Sequence, residues 1–119
     1  MEAYLDRQML CGNLDMLALA LVAREPMHGY RIRWEIIHLS HGYLTPAFGG
    51  IYRVLRLMKR RGYIEKTHQE SGHGRRRVTY GVTPKGRAEL ALRIRKWESF
   101  AAGIESVLFT GTTNRRKPR

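Results

Sequence analysis

Two β-prone segments around a glycine-rich turn leave this chain few possible folds. The segments cover residues 63–68 and 77–83, and the turn between them, residues 71–76, combines two glycines with two arginines. A turn of this composition between β-prone segments predicts a β-hairpin. Because the apolar residues elsewhere follow helical spacing, we predict a mainly α-helical chain with one small β-hairpin, which is an α+β fold.

Two helices are predicted in the first third of the chain. The first covers residues 14–24 with Asn13 as its N-cap, and its apolar side chains on nearly every side indicate a buried, central helix. The second covers residues 27–39, and its spacing favours inward positions for Tyr30, Trp34 and Ile37, with Ile36 left open. At its start, capping and tight backbone geometry are a simpler explanation of His28 and Gly29 than chemistry.

The third and last helices lie on either side of the hairpin. The third covers residues 48–61 and ends at Gly62, and the last begins at Pro84 with Thr83 as its N-cap. In the third helix the apolar positions keep helical spacing on one side, at Ile51, Leu55 and Met58. Cations keep helical spacing on another side, at Arg53, Arg56 and Arg60.

The charge of the chain is large and unevenly distributed. Lys and Arg total 22 against 10 Asp and Glu, which gives a net charge of +12. Residues 1–50 hold four basic and five acidic side chains, whereas residues 51–119 hold eighteen basic and five acidic ones. Such a field attracts polyanions, of which nucleic acid is the commonest for a small basic domain. A merely solvated basic surface is the alternative.

Other classes of protein receive little support from the sequence. The single cysteine, Cys11, cannot form an intramolecular disulfide, and we interpret it as a small core residue, with a redox role as the alternative. The first residues lack the pattern of a secretory signal, and the longest apolar run, residues 16–23, is far short of the roughly 20 residues of a membrane span. From the cysteine content and the absence of these segments we expect a cytoplasmic protein. Because no catalytic or metal-ligand pattern stands out, we also expect that it is not an enzyme and binds no metal or cofactor.

The order of the predicted elements is that of a winged helix-turn-helix, here over residues 1–83. In such a domain a cationic helix can enter the major groove of DNA while the hairpin, or wing, reaches the flanking backbone. We expect Arg53 and Arg56 to contact base edges, Lys59 and Arg60 to contact phosphates, and Tyr52 either to contact a phosphate or to pack. The candidates on the wing are Arg75, Arg76 and Arg77, of which strand alternation should turn one away from DNA.

The last helix, residues 84–109, carries a heptad pattern. Its members are Leu90, Ile94, Trp97, Ala101, Ile104 and Leu108. We predict a C-terminal dimerisation helix, although packing on its own domain is the alternative, and a flexible basic tail over residues 110–119. Near a two-fold axis Trp97 and Phe100 would border a flat apolar slot that suits a planar aromatic ligand. In the simpler interpretation Trp97 only fills the dimer core.

Five motifs occur in one order and spacing along most of the chain. They are EPMHGY at 25–30, GIYRVL at 50–55, RGYI at 61–64, GHGRRRVTY at 72–80 and TPKGR at 83–87. Together they resemble the PadR-type transcriptional regulators, and the single short C-terminal helix is similar to that of the family's small subgroup. The resemblance implies a homodimeric winged-helix repressor, and effectors that are aromatic or drug-like small molecules.

The chain departs from the family pattern at the start of the third helix. Phe48-Gly49-Gly50 stands where Pro-Gly-Ser is usual, and Met58 replaces an acidic residue. These differences bear on which operator is bound more than on whether DNA is bound. The sequence therefore predicts a repressor that binds an inverted repeat in double-stranded DNA as a homodimer and is released by a small, planar aromatic effector. A basic nucleic-acid-binding module without sequence preference is the alternative, and a protein-interaction adaptor would leave the basic half unexplained.

Overall fold

A computed structural model describes the backbone of residues 2–72 and 75–113, and the side chains of residues 9–68 and 77–110. The elements, in chain order, are α1 (Glu2–Arg24), β1 (Met27–His28), α2 (Gly29–Leu39), α3 (Phe48–Arg60), β2 (Ile64–Gly72), β3 (Arg75–Val82) and α4 (Pro84–Thr113). The strands form one antiparallel sheet in the order β1-β3-β2. The α+β fold and the hairpin predicted from the sequence are confirmed.

The hydrophobic core lies where α1 packs against α2 and α3. Ala18 and Leu19 of α1, Ile32 of α2 and Ile51 of α3 are all fully buried. Partly buried apolar residues from the sheet and from the start of α4, including Leu90, pack around this core. The predicted position of α1 at the centre of the domain is therefore correct, and α2, α3 and α4 all contact it.

The predicted start of α1 is wrong. The helix begins at Glu2, so Asn13 lies inside it and its Nδ2 donates a hydrogen bond to the Met9 carbonyl oxygen, 2.8 Å away. The side chain thus bonds back to the preceding turn instead of capping a new helix, which polar side chains inside helices often do. Cys11 falls on an exposed part of this helix, so its predicted place in the core is also wrong.

The start of α2 combines a short strand with a helix cap. Met27 pairs with Tyr80 and His28 with Thr79, so residues that we predicted as helical form a third strand of the sheet. The helix begins at Gly29, and His28 Nδ1 accepts a hydrogen bond from the backbone N–H of Arg31 at 3.1 Å. Capping at this position is confirmed.

The inward side of α2 differs from the prediction. Ile32 and Ile36 are buried, whereas Tyr30 and Trp34 are each more than half exposed. The branched aliphatic side chains fill the space against α1 and α3, and Trp34 instead stacks on His38 with ring centroids 4.7 Å apart. Helical periodicity located an apolar stripe but not which of two adjacent stripes would be buried.

The remaining elements agree well with the sequence. α3 ends one residue earlier than predicted, and Gly62 follows in the left-handed region at φ +81°, which glycine adopts at low cost. Both strands of the hairpin are longer than predicted, with an irregularity in register between Lys66 and His68. His73 and Gly74, at the tip, lie outside the described residues.

The start of α4 is fastened to the end of α3. Thr83 Oγ1 accepts a hydrogen bond from the Gly86 N–H at 2.9 Å, which confirms the predicted N-cap, and it lies 2.6 Å from the Gly62 carbonyl oxygen. The Thr83 N–H donates to the Tyr63 carbonyl oxygen at 3.0 Å. Further along, Arg93 of α4 pairs with Asp15 of α1. The end of α3, the hairpin and the start of α4 therefore meet at one place.

The C-terminal helix continues beyond its predicted end. α4 reaches Thr113, so the first four residues of the predicted tail are helical, and residues 114–119 lie outside the described part of the chain. Its 30 residues correspond to a length of about 45 Å. None of the helices described here is both long and apolar enough to span a membrane.

Candidate nucleic-acid interface

The exposed side of α3 is cationic. Ile51, Val54, Leu55 and Met58 anchor one side of the helix in the core. The opposite side places four exposed cations along the helix, at Arg53, Arg56, Lys59 and Arg60. Because the apolar positions lock the rotation of the helix, the sequence pattern alone decides that these four side chains face outward.

The four cations of α3 differ from some arginines of the chain in their ionic contacts. Within the described part of the chain, none of the four forms an ion pair with a carboxylate. Arg31 on α2 differs, because it pairs with Glu25 and Glu35, and the hydrogen bond with Glu25 is the main cause that raises the pKa of its guanidinium. The surface of α3 is thus free to bind phosphates and base edges, whereas Arg31 is already occupied.

The ring of Tyr52, a residue of α3, lies against the start of α2. A Cβ atom added at Gly29 would approach Tyr52 Cε1 to 2.8 Å, so only glycine at that position lets the ring lie across α2. Tyr52 nevertheless remains 44% exposed. The ring therefore packs against the start of α2, and contact of the exposed part of the side chain with a phosphate stays a prediction.

An aromatic cluster, which the spacing of residues along the chain did not predict, adjoins the first turn of α3. We call it the entrance cluster, and it consists of Tyr30, Arg33, Phe48 and Tyr52. The Phe48 ring lies 5.1 Å from that of Tyr30 and 6.5 Å from that of Tyr52, measured between centroids. The Arg33 guanidinium carbon lies 4.5 Å above the Phe48 ring. The departure from the family pattern at Phe48 was the one signal that pointed here.

The wing is only partly described. Arg77 is exposed on β3, and its backbone lies opposite that of Glu70 on β2. Arg75 and Arg76 continue the strand opposite Gly72 and Ser71, but their side chains lie outside the described residues. The wing candidates therefore belong to one continuous strand, and their contacts with DNA stay a prediction.

A groove separates α1 from α4 beside Trp97. It has a volume of about 380 Å³, and Trp97 and Phe100 line it on the side of α4. Their rings are 6.2 Å apart and tilted by 44°. The opposite side is formed by α1, including Asn13 and Met16, which the sequence analysis did not connect with this site. The partly open groove lies within one chain, whereas the predicted slot required two.

Ion pairs among the residues that line this groove join its two helices. Arg93 lines it and pairs with both Asp15 and Glu89, so it joins α4 to α1. Partial burial alone would lower the pKa of the Arg93 guanidinium, but the hydrogen bonds to Glu89 and Asp15 outweigh burial and raise it. Arg93 therefore remains charged and holds the two helices together. In the described residues no three His, Cys, Asp or Glu side chains form a group that could hold a metal ion.

The predicted seam of α4 is largely uncovered within the chain. Ile94, Trp97 and Ile104 are each about 40% exposed, and Leu108 is 62% exposed. Ala101 is half-buried, whereas Leu90 packs against the core of its own domain. A shallow groove of about 410 Å³ follows the last turns and is lined by Phe100, Ile104, Val107 and Leu108, with Ser99 and Gly103. The apolar stripe thus begins beyond Leu90.

Comparison with known proteins assigns the chain to a family. Residues 18–92 match the model of the transcriptional regulator PadR-like family. The chain belongs to this PadR-like family. A PadR-like transcriptional regulator from Bacillus cereus shares 29% sequence identity with it, with a TM-score of 0.71 over 85% of this chain and 96% of that one. The motif resemblance is confirmed, and the PadR-like chain is a DNA-binding transcriptional regulator.

More distant structures show the same fold. A PadR family regulator from Eggerthella lenta is 24% identical, with a TM-score of 0.73 over 90% of this chain and 88% of that one. A transcriptional regulator from Clostridium thermocellum is 22% identical, with a TM-score of 0.73 over 83% and 93% of the two chains. The winged-helix architecture of the PadR-like chain therefore recurs at low sequence identity.

Proposed function

We propose that this PadR-like protein is a sequence-specific repressor that binds an inverted-repeat operator as a homodimer and is released by a small, planar aromatic effector. The observation that carries the DNA-binding part is the row of four exposed cations on α3, none of which forms an ion pair with another described residue. Arginine can bond two acceptors of a guanine edge at once, and lysine binds phosphate as a point charge. The roles of the individual residues follow from their positions along this helix.

Arg53 and Arg56 are the base-reading residues of this proposal. Arg53 lies in the N-terminal half of α3, which is the part of a recognition helix that reaches base edges, and Arg56 follows about one turn later on the same exposed side. Lys59 and Arg60 lie in its last turn, where the groove wall brings phosphates near. Arg75, Arg76 and Arg77 of the wing then bind the flanking backbone, two of them towards DNA.

The exposed apolar stripe of α4 supports a homodimer. A second copy of the chain offers an identical stripe, and two such surfaces related by a two-fold axis bury each other. The stripe begins at Ile94, includes Trp97 and Ala101, and continues to Ile104 and Leu108, while Leu90 stabilises the junction with the domain. Two recognition helices held this way favour half-sites about 10 base pairs apart.

The groove beside Trp97 supports an aromatic effector. Its two rings offer stacking surfaces, and offset stacking contributes about 0.5–1.5 kcal/mol per ring pair beyond the burial of area. The groove lies between α1, which supports α3 in the core, and α4, which bears the apolar stripe. An effector that binds one arrangement of these helices more tightly than the other would shift the dimer away from its DNA-bound form.

Selection of operators from random DNA is the decisive experiment. We expect enrichment of one inverted repeat, and tight binding to it in gel shifts with excess competitor DNA. Uniform binding that weakens steeply with salt would overturn sequence specificity and favour the alternative of a general nucleic-acid-binding module. A reporter gene with the selected repeat in its promoter tests repression, because expression must rise when the regulator is absent.

Tryptophan fluorescence tests the effector site. A Trp34→Phe background leaves Trp97 as the one tryptophan of the sequence. We expect planar aromatic dyes to quench its emission and to lower operator binding in the same concentration range. If Trp97→Ala binds a panel of flat aromatic compounds as tightly as the parent protein, the effector does not bind in this groove.

A further inference from the structure

Phe48 occupies an unusual place for a large apolar side chain. It is the first residue of α3 and remains 37% exposed outside the core. The N-cap residue before it, Ala47, makes no side-chain hydrogen bond to the helix. Nothing in the packing of the core requires a ring here, because the buried side of α3 starts at Ile51. Phe48 is also the point at which the chain departs from the usual Pro-Gly-Ser pattern.

The entrance cluster holds this exposed ring in place. The Arg33 guanidinium covers one face, and its Nε donates a hydrogen bond to the Pro46 carbonyl oxygen at 2.6 Å. Tyr30 and Tyr52 flank the ring on α2 and α3. Because its neighbours already restrict the ring, a contact with a ligand would cost little additional side-chain entropy.

The cluster marks the place where α2 and α3 both begin. Tyr30 is the second residue of α2 and Phe48 the first of α3. In helix-turn-helix domains the N-terminal residues of the recognition helix contact base edges. Phe48 precedes Arg53 and Arg56, the proposed base-reading residues, on the same helix, so its exposed part lies at the N-terminal end of the helix proposed to enter the major groove.

A phenylalanine ring has no hydrogen-bonding atom, which restricts what it can read. The edges of the four base pairs offer donors and acceptors in the major groove, and a single apolar feature, the C5-methyl group of thymine. We propose that Phe48 contacts a thymine methyl group in each half-site of the operator and makes that position specific for thymine. Arg33 is a positioning residue that holds the ring.

This inference rests on the proposed sequence-specific binding, and its test replaces thymine by deoxyuridine. The replacement removes only the methyl group and leaves base pairing and every hydrogen-bonding atom unchanged. Each thymine of the selected operator is replaced in turn, in one half-site and then in both, and the dissociation constant is measured by fluorescence anisotropy. We expect one position at which binding weakens about fourfold per half-site, the factor that corresponds to burying one methyl group.

Variants of Phe48 assign the effect to this side chain. Phe48→Ala should bind the thymine operator about fourfold more weakly per half-site and should no longer distinguish thymine from uracil at the sensitive position. Phe48→Leu, which keeps an apolar side chain, should retain part of the difference. Trp34→Ala removes another exposed aromatic side chain of α2, outside the cluster, and should retain the full difference.

The outcomes separate this inference from the function on which it rests. If selection enriches no sequence, the proposed sequence specificity fails and the thymine contact fails with it. If an operator is enriched but binds equally with uracil at every thymine position, the thymine contact alone is wrong. The same conclusion follows if Phe48→Ala keeps the full preference for thymine and circular dichroism shows that it is folded. If that variant does not fold, the uracil replacements measured with the parent protein decide whether a thymine methyl group is contacted.

Discussion

Removal of the Thr83 hydroxyl tests the hydrogen-bonded contact between the end of α3 and the start of α4. In the Thr83→Ala variant the Gly86 N–H loses its capping acceptor, and the Gly62 carbonyl oxygen loses the hydroxyl 2.6 Å away. The single hydroxyl proton can serve the Gly62 or the Tyr63 oxygen at one time, and the Gly62 oxygen is the nearer of the two. One cap and one hydrogen bond are therefore lost.

The two lost interactions set the expected magnitude. A helix cap contributes about 1 kcal/mol, and a typical intramolecular hydrogen bond contributes about 0.5–1.5 kcal/mol. The free energy of unfolding should thus fall by about 2 kcal/mol. For a chain of 119 residues, an unfolding entropy of roughly 0.25 kcal/mol per kelvin converts this loss into a fall in Tm of about 8 °C.

Thermal unfolding followed by circular dichroism measures this loss, at one fixed protein concentration because dimerisation would also stabilise the fold. Thr83→Ser is the matched control, since it keeps the hydroxyl and should retain most of the stability. Equal Tm values for the serine and alanine variants would show that the hydroxyl does not connect the two helices. A fall of less than about 2 °C for Thr83→Ala would refute the magnitude.

Five further substitutions probe the fold, the DNA surface and the seam. In denaturant titrations Gly29→Ala should cost about 1–3 kcal/mol of stability, because the added methyl group overlaps the ring of Tyr52. Gly49→Ala, with open space around it, should instead gain about 0.5–1 kcal/mol. Arg56→Ala should lose about 1–3 kcal/mol of discrimination between operators, and an unchanged operator preference would show that Arg56 does not read bases. Arg76→Ala should weaken binding to all sequences and reduce the slope of log affinity against log salt concentration by about one. Ile104→Asp should produce monomers in sedimentation at micromolar concentration, and a parent protein that is already monomeric there would contradict the seam.

Local patterns in the sequence were sufficient for several elements. The position of Gly62 predicted the end of α3 to within one residue, because a left-handed residue there depends only on adjacent backbone. Thr83 and Pro84 predicted the start of α4 for the same reason. The alternation of apolar and cationic residues on α3 likewise determined which side chains face outward, since one strongly apolar stripe had one place to be buried.

Features that depend on distant parts of the chain were not predictable in this way. β1 exists because Met27 and His28 meet β3, and neither residue carries a strand signal in its own neighbourhood. On α2 the pattern offered both an aromatic and an aliphatic stripe, and the shape of the space beside α1 selected Ile32 over Trp34.

By itself, therefore, the sequence determined where α3 ends, where α4 begins and which surface of α3 carries the positive charge, because these properties arise within a few consecutive residues. Only the tertiary structure decided that Tyr30 and Arg33 meet Phe48, and that α1 completes the groove beside Trp97. Both arrangements join helices that are separate in sequence. Their geometry follows from how the helices pack, and no spacing along the chain encodes it.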